Sequence, residues 1–292
     1  MTLSLLLSST VPSIVMAEKF SPKTYSDEES FRVRKIVEFW KDGDFSIVEN
    51  QISTFLSDFS ESEFGEYFHW VLGDIFLEKK AYDQALSQYR AISHPGLKEQ
   101  MLVNELQCYY KLQQHETLYQ VAQPFLSNPS PTLSENLDEI HLFSAEALFN
   151  QALVADEKET QQLLAKEARN LYYKIDQRQY FKQAEFALAR IHAITEEYPE
   201  AATAFKNLAK TNPALAQDLL FEAATCEVEF DKQAALETFL TVQSEANDRF
   251  SESTYNILVI LFHNQQYDQI ITNFDAHKDN LDADTVSELQ LI

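Results

Sequence analysis

One interval pattern recurs along this chain and constrains its fold more than any other feature. Gly73, Phe76, Tyr82, Ala85, Tyr89 and Ile92 are separated by steps of three, six, three, four and three. The same steps recur at Ala189, His192, Tyr198, Ala201, Phe205 and Leu208, and at Leu258, Leu261, Tyr267, Ile270, Phe274 and His277. Looser copies are Ile36, Phe39, Phe45, Val48, Ile52, Phe55; Leu106, Tyr109, His115, Leu118, Ala122, Phe125; and Ala223, Cys226, Lys232, Ala235, Phe239, Val242. Steps of three and four keep side chains on one face of a helix, whereas the step of six crosses a short turn into a second, antiparallel helix. Each copy therefore reads as a helical hairpin. Small residues at Gly73, Ala189 and Ala223, and at Ala85, Ala201 and Ala235, let two helix axes approach. The large residue four positions after the second set fills the gap to the next hairpin.

Composition agrees with helices. The chain has 4 glycines in 292 residues, against roughly 20 at the usual frequency of about 7%. Turns that need positive φ are therefore expected to be few. The same scarcity argues against tight β-hairpins, phosphate loops and dinucleotide folds. Proline marks the exits from second helices at Pro95, Pro129, Pro131 and Pro213, and Pro199 opens a second helix, where its missing N–H costs nothing. The formal charge of −23 and the lack of a basic cluster exclude nucleic acid as an expected partner and make an anionic membrane surface repulsive. The acidity reads as a well-solvated surface, or as a means of steering a basic client. Cys108 and Cys226 fall in apolar helical patterns several layers apart in such an array, which predicts two buried free thiols rather than a disulfide.

These residues resemble the tetratricopeptide repeat family, most plainly in Trp70-Val71-Leu72-Gly73, Phe76, Tyr82 and Ala85, and in Tyr198, Ala201 and Pro213. Successive anchors lie near the family's period of about 34 residues, which is shorter than the HEAT-type period, apart from one long gap between Leu106 and Ala189. That gap is expected to hold a degenerate copy, with Ala145 and Leu148 in its first helix and Ala168, Tyr172 and Ile175 in its second. Ala155 to Thr160 then form a lengthened turn or a helix extension. The resemblance implies an all-α, tetratricopeptide-type α-solenoid of about seven antiparallel hairpins over 28–281, with repeats near 29–62, 66–95, 99–131, 138–178, 182–214, 216–248 and 251–281. The tail, 282–292, reads as a capping helix or the start of a further repeat, since Val286, Leu289 and Ile292 share one face.

Met1–Ala17, with an apolar run at Leu3–Leu7 and small residues before Glu18-Lys19, reads as a signal-peptide-like segment without a leading Lys or Arg; 18–27 is a linker. No cysteine follows the apolar run, so a lipid anchor is not expected. No later stretch is apolar over the roughly 18 residues needed for a membrane span.

The resemblance also implies that first helices line a concave groove. By position, the groove would be lined by Trp40, Tyr67, Trp70, Leu77, Tyr110, Phe186, Tyr255 and Phe262, with Asp74, Val103, Gln107 and Glu227 beside them. Such a strip suits the apolar face of a helix or an extended segment of an unidentified protein or peptide. Packing against the neighbouring hairpin explains the same side chains equally well. Relatives that clamp a terminal carboxylate use Lys and Asn where this chain has Val33, Trp70, Val103, Phe186, Leu220 and Tyr255, so no such clamp is expected. The seven histidines show no metal-ligand spacing, and no serine sits in a glycine-flanked turn, so neither an enzyme nor a cofactor or metal is expected. The leading expectation is an exported, non-catalytic interaction scaffold of the bacterial envelope. The alternatives are a cytoplasmic chaperone of secreted clients and a cell-wall glycan binder.

Overall fold

The computed structural model describes residues 26–244 and 248–289. The signal-like segment 1–17 and the linker to residue 25 lie outside them. The described residues hold fifteen α-helices and no strand, and the chain divides into two compact units, Met1–Leu148 and Phe149–Ile292. The first contains α1 (Asp27–Asp42), α2 (Phe45–Asp58), α3 (Gly65–Glu78), α4 (Tyr82–Arg90), α5 (Pro95–Lys111), α6 (His115–Ser127) and the start of α7 (Leu137–Val154). The second contains the end of α7, then α8 (Lys158–Tyr172), α9 (Arg178–Ile194), α10 (Tyr198–Thr211), α11 (Ala216–Val228), α12 (Lys232–Gln243), α13 (Phe250–His263), α14 (Tyr267–His277) and α15 (Ala283–Leu289). Three hairpins pack as pairs in each unit: α1 with α2, α3 with α4 and α5 with α6; then α9 with α10, α11 with α12 and α13 with α14. In the long gap between anchors, Ala155–Glu157 form an ordinary three-residue turn, and Lys158–Thr160 extend α8 at its start.

Five hairpins turn by the same hydrogen-bonded device. The N–H groups of Asp44, Ala81, Gln114, Glu197 and Gln266 donate to the carbonyls five residues back, Phe39, Phe76, Tyr109, His192 and Leu261. One residue earlier in each turn, Gly43, Lys80, Gln113, Glu196 and Gln265 donate to Trp40, Leu77, Tyr110, Ala193 and Phe262. This paired closure satisfies the last carbonyls of the first helix and requires a left-handed residue between them. That residue is Gly43 in α1–α2, but it is Lys80, Gln113, Glu196 and Gln265 elsewhere, with φ between 57° and 62°. Scarce glycine thus did not mean scarce positive φ. Each of these four turns places a side-chain-bearing residue in a conformation that costs about 1–2 kcal/mol for an L-residue, and hairpin packing outweighs that cost.

The same register explains the interval pattern. The accepting carbonyl belongs to the second anchor of each copy, and the residue six positions on, Phe45, Tyr82, His115, Tyr198 or Tyr267, opens the second helix. Three residues further, Val48, Ala85, Leu118 and Ala201 are fully buried. The α11–α12 turn departs from this scheme. Asp231 donates to Glu227 rather than Cys226, and its carboxylate caps α12 through the N–H groups of Gln233 (3.1 Å) and Ala234 (3.0 Å). A side-chain cap replaces the left-handed residue there. Helix α6 runs through Pro124, whose ring removes one of its backbone bonds.

Gly73 lets α4 pack closely against α3. Tyr89 of α4 is fully buried across it, and a Cβ at Gly73 would collide with the Tyr89 ring. In the same unit, one core joins α1–α3 around Ile36, Ile52, Phe55 and Phe68, and another runs from Trp70 through α4–α6 to Phe143 of α7. In the second unit, one core joins α9–α11 and another α11–α14.

Two substitutions test this account by urea denaturation. Gly73→Ala should lose about 1–3 kcal/mol through overpacking against Tyr89. Gln113→Gly should gain about 0.5 kcal/mol, because relief of the left-handed strain exceeds the extra freedom of glycine in the unfolded chain.

Candidate interaction faces

In the first unit, α3 and α5 lie side by side, and their shared face carries a half-buried polar joint. The Asp74 Oδ1 atom of α3 accepts from the Tyr89 hydroxyl of α4 at 2.7 Å and from the Asn104 amide of α5 at 2.8 Å. Burial pushes the Asp74 carboxyl up to about 6, although Tyr89, Asn104 and the nearby Trp70 indole pull it down. The Trp70 Nε1 itself is buried and outside hydrogen-bond geometry among the described residues. Next to Asn104 on α5, Glu105 accepts from the Tyr109 hydroxyl at 3.2 Å, and Arg90 donates to the same oxygen at 3.1 Å. Burial raises the Glu105 carboxyl, opposed by Tyr109 and Arg90.

In the second unit, Glu227 of α11 is buried and ties three helices together. Lys206 of α10 reaches it at 2.5 Å and the Thr238 hydroxyl of α12 at 2.7 Å. Glu197, which closes the α9–α10 turn, receives Arg169 on both oxygens at 2.6 Å and His192 Nδ1 at 2.6 Å. Burial alone would raise its carboxyl, but these two partners hold it below the usual range. Cys108 and Cys226 are buried free thiols, pushed up by burial to about 12 and about 11, which leaves both protonated at neutral pH.

The residues that sequence position assigns to a groove divide into three environments. Trp70, at 9% exposure, belongs to the core formed with α4 and α5, and Val103 is buried beside it. Tyr67, Leu77 and Tyr110 are half-buried against that core, with Tyr110 5.8 Å from Phe143 of α7 and within 3.5 Å of Glu146. Trp40 is half-buried with its ring edge toward Phe45 at 5.2 Å. In the second unit, Phe186 is half-buried on the α9–α11 core, Tyr255 is half-buried, and Phe262 is exposed. Asp74 and Glu227 prove to be joints between helices, Asp74 half-buried and Glu227 buried. Asn104, Tyr89, Lys206 and Thr238, which complete them, were not singled out from sequence. Their signal was a polar group within an otherwise apolar helical pattern, and it identifies a partner only once the helices pack.

The turn register and the burial at each repeat position together decide the fold. Each unit is a stack of antiparallel helical hairpins. Neither a protein-family model nor a curated protein sequence matches the chain. Among solved structures, it is similar to a tetratricopeptide repeat protein from Parabacteroides merdae, with 14% identity and a TM-score of 0.45 over 90% of this chain and 98% of that one. It is also similar to the apo form of RapI, with 11% identity and a TM-score of 0.44 over 86% of this chain and 75% of that one. Among the described residues, no helix is long and apolar enough to cross a membrane, and no group of His, Cys, Asp or Glu is arranged to hold a metal.

The Asp74 joint has a pH signature. Its carboxyl binds a proton more readily folded than unfolded, so its contribution favours the folded state below about pH 4 and is lost as pH rises through about 6. The loss is on the order of 3 kcal/mol. Asp74→Asn keeps an acceptor for Tyr89 and Asn104 without the charge. In urea titrations, its stability relative to wild type should rise by about 2 kcal/mol between pH 4 and pH 7.5.

Proposed function

We propose that the protein is a non-catalytic protein-interaction scaffold that holds an apolar segment of another protein on the faces of its first helices. The observation that carries this reading is the half-exposure of aromatic side chains at successive first-helix positions, Trp40, Tyr67 and Tyr110 in the first unit and Phe186 and Tyr255 in the second. Trp40, Tyr67, Tyr110 and Phe186 pack partly against the core, and a partly held aromatic side chain costs little entropy when it binds. The net charge of −23 favours a segment flanked by Lys or Arg and speeds its capture at low salt.

The signal-like start supports a location in the bacterial cell envelope. N-terminal sequencing of protein recovered from that compartment should begin after Ala17, and an intact Met1 in the cytoplasm would favour a chaperone of secreted clients instead.

Trp70 is unsuited to test binding, because its replacement would open the core. Tyr67→Ala and Tyr255→Ala remove half-exposed rings and leave the turn joints intact. Captured side by side with wild type, the double variant should lose its co-purifying partner by tenfold or more while its circular dichroism shows it folded at the capture temperature. Retention of every partner by the folded variant would remove the first-helix faces from consideration.

A further inference from the structure

One stripe of side chains along α3 has a single charged member. Tyr67, Trp70, Asp74 and Leu77 follow at steps of three, four and three, which places them on one helix face. Trp70 is buried, and Tyr67, Asp74 and Leu77 are half-buried, so the carboxylate reaches the surface between two apolar side chains. By helical rise, Tyr67 lies about 10 Å toward the start of α3 and Leu77 about 4.5 Å toward its end.

Neither the repeat nor the joint explains the charge. One residue after the first anchor, where Asp74 stands, the other copies hold Val37, Gln107, Arg190, Ala224 and Val259. The Tyr89 hydroxyl and the Asn104 amide both donate to Asp74 Oδ1, and a neutral amide oxygen also has two lone pairs to accept them. Glu105, Glu197 and Glu227 each have a cation beside them, Arg90, Arg169 and Lys206 respectively. Asp74 does not. The influences on its carboxyl are burial and three neutral groups, Tyr89, Asn104 and Trp70. The joint is unfinished in a second respect, because Trp70 beside it is only 9% exposed and its Nε1 is buried outside hydrogen-bond geometry among the described residues.

We propose that Asp74 is a specificity-determining residue, which receives a Lys or Arg side chain that a bound segment carries between apolar residues. This inference rests on the first-helix reading given above and adds the charge that the segment must bring to α3. The cation supplies the counter-charge that the half-buried carboxylate lacks, while apolar neighbours in the segment meet Tyr67 and Leu77. A close, partly desolvated charge pair fixes register and rejects segments without the cation.

The test needs no known partner. Phage bearing random 12-residue peptides are selected on the immobilised full chain at pH 7.5, and the tightest binder is synthesised with its basic residue intact or replaced by norleucine. The selected pool should be enriched in Lys or Arg flanked by apolar residues. In anisotropy titrations, norleucine should weaken binding to wild type by at least about tenfold but to Asp74→Asn by less than about twofold, as a direct charge pair requires. A purely structural Asp74 would give equal losses. Binding to wild type should also strengthen about tenfold from pH 5 to pH 7.5 as Asp74 loses its proton, a rise absent in Asp74→Asn.

The other titratable groups on α3 and the helices packed against it are common to both proteins. Tyr89 on α4 and Cys108 on α5 stay protonated over that range. Glu105 on α5 is engaged by Tyr109, Glu49 on α2 by Lys79, and His69 on α3 by Gln88. Asp74→Asn keeps an acceptor for Tyr89 and Asn104, and circular dichroism would establish that it is folded. A pool without basic residues, or equal losses in the two proteins, would overturn the role of Asp74. The first-helix reading would survive that result if Tyr67→Ala with Tyr255→Ala still weakened the peptide. Binding indifferent to that double variant and to Asp74→Asn alike, or failure to select any peptide, would overturn both.

Discussion

The paired backbone closure between the two helices of a hairpin is the constraint on which the rest of this structure depends. One N–H donates five residues back and its predecessor donates three residues back, so the chain reverses within three residues, or within two at Gly43-Asp44. The geometry fixes which face of the second helix meets the first, because a residue added to or lost from the turn would rotate the second helix by about 100°. With that rotation set, Ala85, Ala201 and Phe205 are buried, and Tyr89 packs back across Gly73 of its own hairpin. The left-handed residue in four of these turns is not glycine. Local strain is therefore tolerated where the apolar burial that follows is large.

Between hairpins, the apolar layers are pinned by a few polar joints. Asp74 joins α3, α4 and α5, and Glu227 joins α10, α11 and α12. Each sits on a first helix and is satisfied by side chains of the adjoining helices. Leaving such a group unpaired would cost more than the bonds contribute, so these joints specify register more than they add stability. The Asp74 carboxyl, raised by burial, shows that the desolvation is incompletely offset.

Exposed apolar surface is of two kinds. Partly exposed rings on first helices occur at several repeat positions, Trp40 and Tyr110 four residues after their anchors, Tyr67 six before and Phe186 and Tyr255 three before. Phe262, Tyr267 and Ile271 are exposed on the last described hairpin, α13–α14.

The interval pattern by itself determined that the chain forms helical hairpins, and it located their turns to within a residue at Phe39–Phe45, Phe76–Tyr82, Tyr109–His115, His192–Tyr198 and Leu261–Tyr267. This was possible because helical periodicity and the length of a closed turn are local properties. Glycine content misled about positive φ, since the energy that holds Lys80, Gln113, Glu196 and Gln265 left-handed comes from distant packing. Position in the repeat assigned Trp70 and Tyr110 to one face. Only the tertiary structure decided that Trp70 is core and Tyr110 half-open, that Asp74 and Glu227 are joints, and that Ile271 is bare where Leu86 is buried. Burial is set by what packs on a residue, and a repeat pattern, being the same for each copy, carries no record of what that is.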